Sequence, residues 1–92
     1  MAKIRFSSAI QAAVNNAPET QFAFDGTVAQ LLEKLGAVYG DNFRKRIFDQ
    51  QGKPRKFLNI YVNGKDIRFK DGFDTKVSDK DEIDLIPAVS GG

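Results

Sequence analysis

Ninety-two residues, 41% of them hydrophobic and 28% charged, with a formal net charge of +2, describe one folded domain with a modest core rather than a disordered chain. The absence of cysteine and histidine excludes disulfides, thiol nucleophiles, thiolate or imidazole metal sites and the usual general base near neutral pH, so no catalytic residue and no metal ligand is assigned. No stretch approaches the length of a membrane span and the start, Met1-Ala2-Lys3-Ile4-Arg5-Phe6, lacks the apolar run of a signal peptide, which leads to the expectation of a cytoplasmic protein without membrane partners.

The first residues alternate, Ala2, Ile4 and Phe6 against Lys3 and Arg5, as a half-buried strand does. Ser7 to Pro18 reads as a connection with a helical turn, ending in the breakers Asn15-Asn16-Ala17-Pro18. A second strand is expected from Thr20 to Phe24, closed by a turn at Asp25-Gly26. Thr27-Val28-Ala29-Gln30 then has the form of a capping box, in which hydroxyl and amide each satisfy an unpaired N–H at a helix start. Val28, Leu31, Leu32 and Leu35 fall at i, i+3, i+4 and i+7, one apolar stripe that Tyr39 continues and Gly40 stops. Asp41 is expected to cap a short second helix carrying Phe43 and Ile47, and Gln51-Gly52-Lys53-Pro54 ends it.

Phe57 to Val62 and Lys65 to Phe69 flank Asn63-Gly64, the pair best suited to the two positive φ angles of a type I′ hairpin. The two-residue loop puts Ile60 opposite Ile67 and Leu58 opposite Phe69 on the core face, and Asn59, Tyr61, Asp66 and Arg68 outside. Phe73 and Val77 lie in an acidic loop. Glu82 to Ile86 forms the last strand, with Ile83 and Leu85 inward, and Pro87, lacking an N–H, ends its ladder. Strand, strand, helix, hairpin, strand is the order of an α+β β-grasp, the ubiquitin-like arrangement: a mixed sheet of four to five strands packed on one main helix. With the first and last strands adjacent at its centre, Lys3 and Arg5 face Glu82 and Asp84. Residues 1–87 make the domain, and 88–92 a flexible C-terminal tail.

Charge is unevenly spread. Arg44, Lys45, Arg46, Lys53, Arg55 and Lys56, interleaved with Phe43, Phe48 and Phe57, fit either an RNA-binding surface or a solvated loop over core aromatics. The small net charge and the core-like placement of the phenylalanines favour the loop, so nucleic acid is not an expected partner. The tail, Ala88-Val89-Ser90-Gly91-Gly92, has the composition of a segment that threads a narrow slot: Gly91 and Gly92 carry no Cβ and bring backbone close to a bound group where larger residues clash. Fully extended, its five residues reach roughly 17 Å.

The element order, "FLNIYVNGKDIRF" at Phe57 to Phe69 and "EIDLIPAVSGG" at Glu82 to Gly92 together resemble the MoaD/ThiS-type ubiquitin-like sulfur carrier family, and within it the hairpin text is most similar to the CysO-like carriers. The resemblance implies that an E1-like enzyme adenylates the Gly92 carboxylate with ATP and that a sulfur donor converts the adenylate to a thiocarboxylate. Gly91, Ser90, Val89 and Ala88 are then the residues that thread into the partner, whereas ATP and Mg²⁺ belong to that partner and the chain binds no cofactor of its own. The implied sulfur acceptor is a cysteine synthase first; the alternatives are the large subunit of molybdopterin synthase, or a ubiquitin-like role in which the tail is joined to lysines. An outward apolar patch of Phe57, Tyr61 and Ile86, edged by Arg68, Asn59 and Asp84, is the expected docking surface.

Overall fold

The computed structural model describes residues 1–56 and 58–87; Phe57 and the segment 88–92 lie outside the described residues. Alternation at the N-terminus becomes strand β1 (Ala2–Phe6), with Ala2, Ile4 and Phe6 buried. Its antiparallel neighbour β2 runs Glu19–Phe22, two residues short of the expected end, because the chain turns where the Phe24 N–H donates to Asp79 Oδ1 at 2.7 Å. Between them, α1 (Ser8–Gln11) and a 3₁₀ turn (Ala12–Val14) sink Ile10, Ala13 and Val14 into the core. Gly26–Thr27, expected to serve as turn and cap only, also forms a short strand β3, paired antiparallel with β6 (Lys76–Val77).

The main helix α2 spans Val28–Tyr39 and starts as its sequence requires. Thr27 Oγ1 accepts from the Gln30 N–H at 3.2 Å, and Gln30 Oε1 accepts from the Thr27 N–H at 2.9 Å. Its stripe of Val28, Leu31, Leu32 and Leu35 is fully buried, and burial of each such side chain contributes about 1.5–3 kcal/mol. Helix α3 (Asp41–Ile47) follows, but Gly40, not Asp41, occupies the capping position, at φ 84° and ψ −161°. That backbone conformation belongs to glycine, so one residue closes α2 and opens α3, and Asp41 falls in the first turn, where its charge opposes the helix dipole favourably.

Strand β4 (Leu58–Val62) and β5 (Lys65–Asp66) flank Asn63 and Gly64 at φ 53° and 82°, the expected left-handed pair. The register agrees with the two-residue loop as far as it runs, Val62 against Lys65 and Tyr61 against Asp66, and there the ladder stops. Ile67–Phe69 coils into a 3₁₀ turn because the Asp66 carboxylate accepts from the Arg68 N–H at 2.8 Å, a local bond that competes with strand pairing. Ile67 still reaches the core, 4% exposed, but Phe69 does not pack opposite Leu58: it is 79% exposed.

Strand β7 (Glu82–Pro87) takes the middle of a five-stranded sheet ordered β2, β1, β7, β4, β5. It is parallel to β1, Lys3 against Glu82 and Arg5 against Asp84, and antiparallel to β4, with Pro87 against Leu58 as its last pair. The expected adjacency of first and last strands holds. Arg5 bonds both Glu82 and Asp84, whose hydrogen bonds and charge, Asp84 first, hold its guanidinium firmly ionised, while Lys3 turns instead to Glu19 at 3.8 Å. The chain is a β-grasp: β1, β4 and β7 lay Ala2, Ile4, Phe6, Leu58, Ile60, Val62, Ile83 and Leu85 on one face, against α2 and α3.

Candidate functional site

Strand alternation sends Tyr61, Asn59, Asp84 and Ile86 to the sheet face opposite the helices. The β4–β7 register sets Tyr61 beside Asp84 and Asn59 beside Ile86, so residues far apart in sequence share one surface next to Pro87. Ile86 is 40% exposed, an uncommon state for a large aliphatic side chain in a central strand. Arg68 joins from the 3₁₀ turn after β5: its Nη2 donates to Asn59 Oδ1 at 2.8 Å and to Asp66 Oδ2 at 2.7 Å. Of the expected docking residues, the structure therefore brings Tyr61, Arg68 and Ile86 together; Phe57 lies outside the described residues, as do Ala88, Val89, Ser90, Gly91 and Gly92.

Electrostatics keep this surface ordered. The Asp66 carboxyl is held below its usual range, first by the hydrogen bonds from the Arg68 guanidinium and then by the Arg68 backbone N–H. Arg68 is correspondingly held charged by Asp66. With Asp66 and Asn59 fixing one side of the guanidinium, Arg68 presents its remaining donors in one orientation rather than many.

A second arrangement, which sequence reading missed, ties the hairpin to the start of β7. Asn63 Nδ2 donates to Asp81 Oδ1 at 2.9 Å, Asn63 Oδ1 accepts from the Glu82 N–H at 2.9 Å, and the Asn63 N–H donates to the Glu82 carbonyl at 2.7 Å. Burial works against the Asp81 charge, yet the bonds from Asn63 and from the Ser78 N–H and hydroxyl outweigh it and hold the carboxyl below its usual range. Asn63-Gly64 announced the turn, but nothing in that dipeptide marks a partner eighteen residues away.

Asn63→Gly keeps the backbone angle and removes both side-chain bonds. Because these bonds are solvent-exposed, the expected loss is about 1 kcal/mol, measured by chemical denaturation at neutral pH. Asp81→Asn supplies the pH dependence. A carboxyl depressed in the folded state stabilises above its unfolded pKa and loses that contribution as pH falls through the folded value. Wild type is thus expected to exceed Asp81→Asn in stability at pH 7, with the gap narrowing as pH falls below the ordinary aspartate value of about 3.9.

The basic stretch divides by use. Arg44 pairs with Glu33 at 3.3 Å and lies over the Phe48 ring, Arg46 donates to the Ala9 carbonyl, and Arg55 donates twice to the Lys45 carbonyl at the end of α3. Phe43 and Phe48 are buried, as a loop over core aromatics requires and a base-stacking surface does not. Among the described residues no helix is long and apolar enough to cross a membrane.

A β-grasp body, a central strand ending at Pro87 beside a semi-apolar face, and Gly91-Gly92 four and five residues on are the features a family assignment has to explain. The ThiS family model matches residues 4–92, nearly the whole chain and through both glycines. The chain belongs to the ThiS family. Among relatives of this ThiS-family protein, the sulfur carrier protein CysO of Mycobacterium tuberculosis is 40% identical, over 65% of this chain and 73% of its own length. Among solved structures, the small archaeal modifier protein 1 of Methanosarcina acetivorans matches with a TM-score of 0.86 at 28% identity, covering 99% of this chain and 95% of that one. A chain of the Amycolatopsis orientalis BexX/CysO complex matches with a TM-score of 0.80 over the full length of both, and at 23% identity that likeness is one of fold. The β-grasp of this chain is thus shared by sulfur carriers and ubiquitin-like modifiers.

Proposed function

We propose that this ThiS-family chain is a sulfur carrier, a protein-sized substrate without catalytic machinery, whose reactive group is the Gly92 carboxylate. The observation that carries this reading is the family match running through Gly91-Gly92, alongside 40% identity to a sulfur carrier. In the proposed cycle an E1-like enzyme binds ATP and Mg²⁺, and the Gly92 carboxylate attacks the α-phosphorus with loss of pyrophosphate. The acyl adenylate so formed has AMP as a good leaving group, where a free carboxylate resists nucleophiles. A sulfur donor then displaces AMP and leaves a thiocarboxylate, which passes sulfur to an acceptor enzyme; identity to CysO favours a cysteine synthase. The cytoplasm, where ATP is at hand, is the proposed location.

Each part of the body has a task in this cycle. Strand β7, bonded on both sides to β1 and β4, gives the tail a rigid root at Pro87. The face bearing Tyr61, Ile86 and Arg68 docks the partner, and Ala88 to Ser90 thread toward its active site. A second reading, conjugation of Gly92 to lysines as a protein modifier, is favoured by the likeness to the archaeal modifier.

Intact mass of the protein purified from its own host, followed by the mass of its C-terminal peptide, tests the proposal. Sulfur replacing oxygen on Gly91-Gly92, and not an oxidised Met1 of nearly the same mass, is the expected result. A tail that stays a free carboxylate when ATP, the E1-like enzyme and a sulfur donor are supplied rejects it, and cellular lysines carrying this chain's C-terminal peptide through an isopeptide bond to Gly92 select the second reading.

A further inference from the structure

Phe69 is the most exposed large hydrophobic side chain among the described residues, at 79% against 40% for Ile86. Its turn is nevertheless held at both ends, by the Arg68 N–H on Asp66 Oδ1 at 2.8 Å and the Lys70 N–H on the Ile67 carbonyl at 2.9 Å. An exposed aromatic on a fixed backbone loses little conformational freedom on binding, the condition under which such residues become hot spots.

Beside the same turn opens a cavity of about 190 Å³ with apolar walls of Pro54, Leu58, Ile67 and Phe73. That volume falls short of the usual pocket for a free small molecule and suits a single inserted side chain. Its charged lining is Arg55, Lys56 and Arg68 against Asp66 alone, and Asp66 is already taken by Arg68. Leu58 is also the β4 partner of Pro87, so the cavity sits at the root of the tail and continues the Arg68 edge of the docking face.

On the carrier reading above, we infer that Phe69 and this cavity form a second docking site for the adenylating enzyme, which seats one apolar side chain in the cavity and presents an adjacent carboxylate to Lys56 and Arg68. The excess positive charge of the lining selects an acidic segment. Two terminal glycines offer an enzyme no side chains to read, so discrimination among carriers falls to the body, and this site supplies a knob, a hole and a charge on one surface.

The test is ATP-dependent pyrophosphate release by the purified E1-like enzyme at varied concentrations of the full chain, comparing wild type with Phe69→Ser, Lys56→Glu and Lys56→Arg. Phe69→Ser and Lys56→Glu are expected to raise KM about tenfold with kcat and melting temperature unchanged, while Lys56→Arg stays near wild type. Added salt is expected to raise KM for wild type and less so for Lys56→Glu. Wild-type turnover with no change of KM in Phe69→Ser and Lys56→Glu overturns the docking site and leaves the carrier reading standing. Absence of wild-type turnover overturns the carrier reading, and the site with it. Self-association of wild type that Phe69→Ser abolishes, seen by sedimentation, assigns the surface to a second copy of the chain and overturns the assignment to the enzyme.

Discussion

Deletion of Gly92 is expected to lower ATP-dependent activation by at least about 10²-fold and leave the melting temperature where it was. The two outcomes have separate causes. The carboxylate left on Gly91 stops about 3.4 Å short of the position Gly92 reaches, and a displacement of even 1 Å from in-line geometry costs an enzyme about 10²-fold. Stability is expected to be spared because the buried core of the described residues runs from Ala2 to Leu85. Pyrophosphate exchange with the E1-like enzyme measures the first quantity and thermal unfolding the second. Gly92→Ala adds a Cβ while keeping the reach, so it is expected to fall between deletion and wild type. A deletion variant activated at the wild-type rate removes Gly92 from the mechanism.

Ile86→Glu tests the body instead of the tail. Ile86 lies beside Asn59 across the β4–β7 ladder, two residues along the strand from the Tyr61–Asp84 pair, and at 40% exposure it contributes surface rather than core. If a partner covers it, wild type gains burial of an aliphatic side chain, about 1.5–3 kcal/mol, and the variant must instead desolvate a carboxylate next to Asp84. A loss near 2 kcal/mol corresponds to a KM about 30-fold higher. Turnover at saturating carrier is expected to be unaffected, because the tail is intact. Ile86→Lys separates the two contributions, since it loses the burial without adding a second negative charge beside Asp84. Equal KM values for wild type and Ile86→Glu exclude this face as the docking surface.

The terminal glycines and the outward residues of β4 and β7 were legible in the sequence for different reasons. Gly91-Gly92 after Pro87 needs no fold to be noticed. Tyr61 and Ile86 could be assigned outward from alternation alone, and whether they were neighbours depended on strand order. The expected adjacency of the first and last strands held because both carry an apolar inner face flanked by opposite charges outside, Arg5 against Glu82 and Asp84. Phe69 was misread for a specific reason. Lys65 to Phe69 alternates as a strand does, and no periodicity registers that Asp66 bonds the backbone two residues on.

What the sequence alone determined is what short-range chemistry controls: the capped helix with its four-residue stripe, the Asn-Gly turn, and the inner faces of β1, β4 and β7. Tertiary structure decided where those pieces stop and what they touch. Strand β4 uses one edge for β7 along five residue pairs and the other for β5 along only two. Once Ile67 has filled the last core position, nothing opposite Leu58 remains for Phe69, and the aromatic is left in solvent. Likewise Asn63 and Asp81 become partners only when β7 lies beside β4. Contacts between residues distant in sequence depend on how every intervening element closes, and that information is carried by the packed core rather than by any local run of residues.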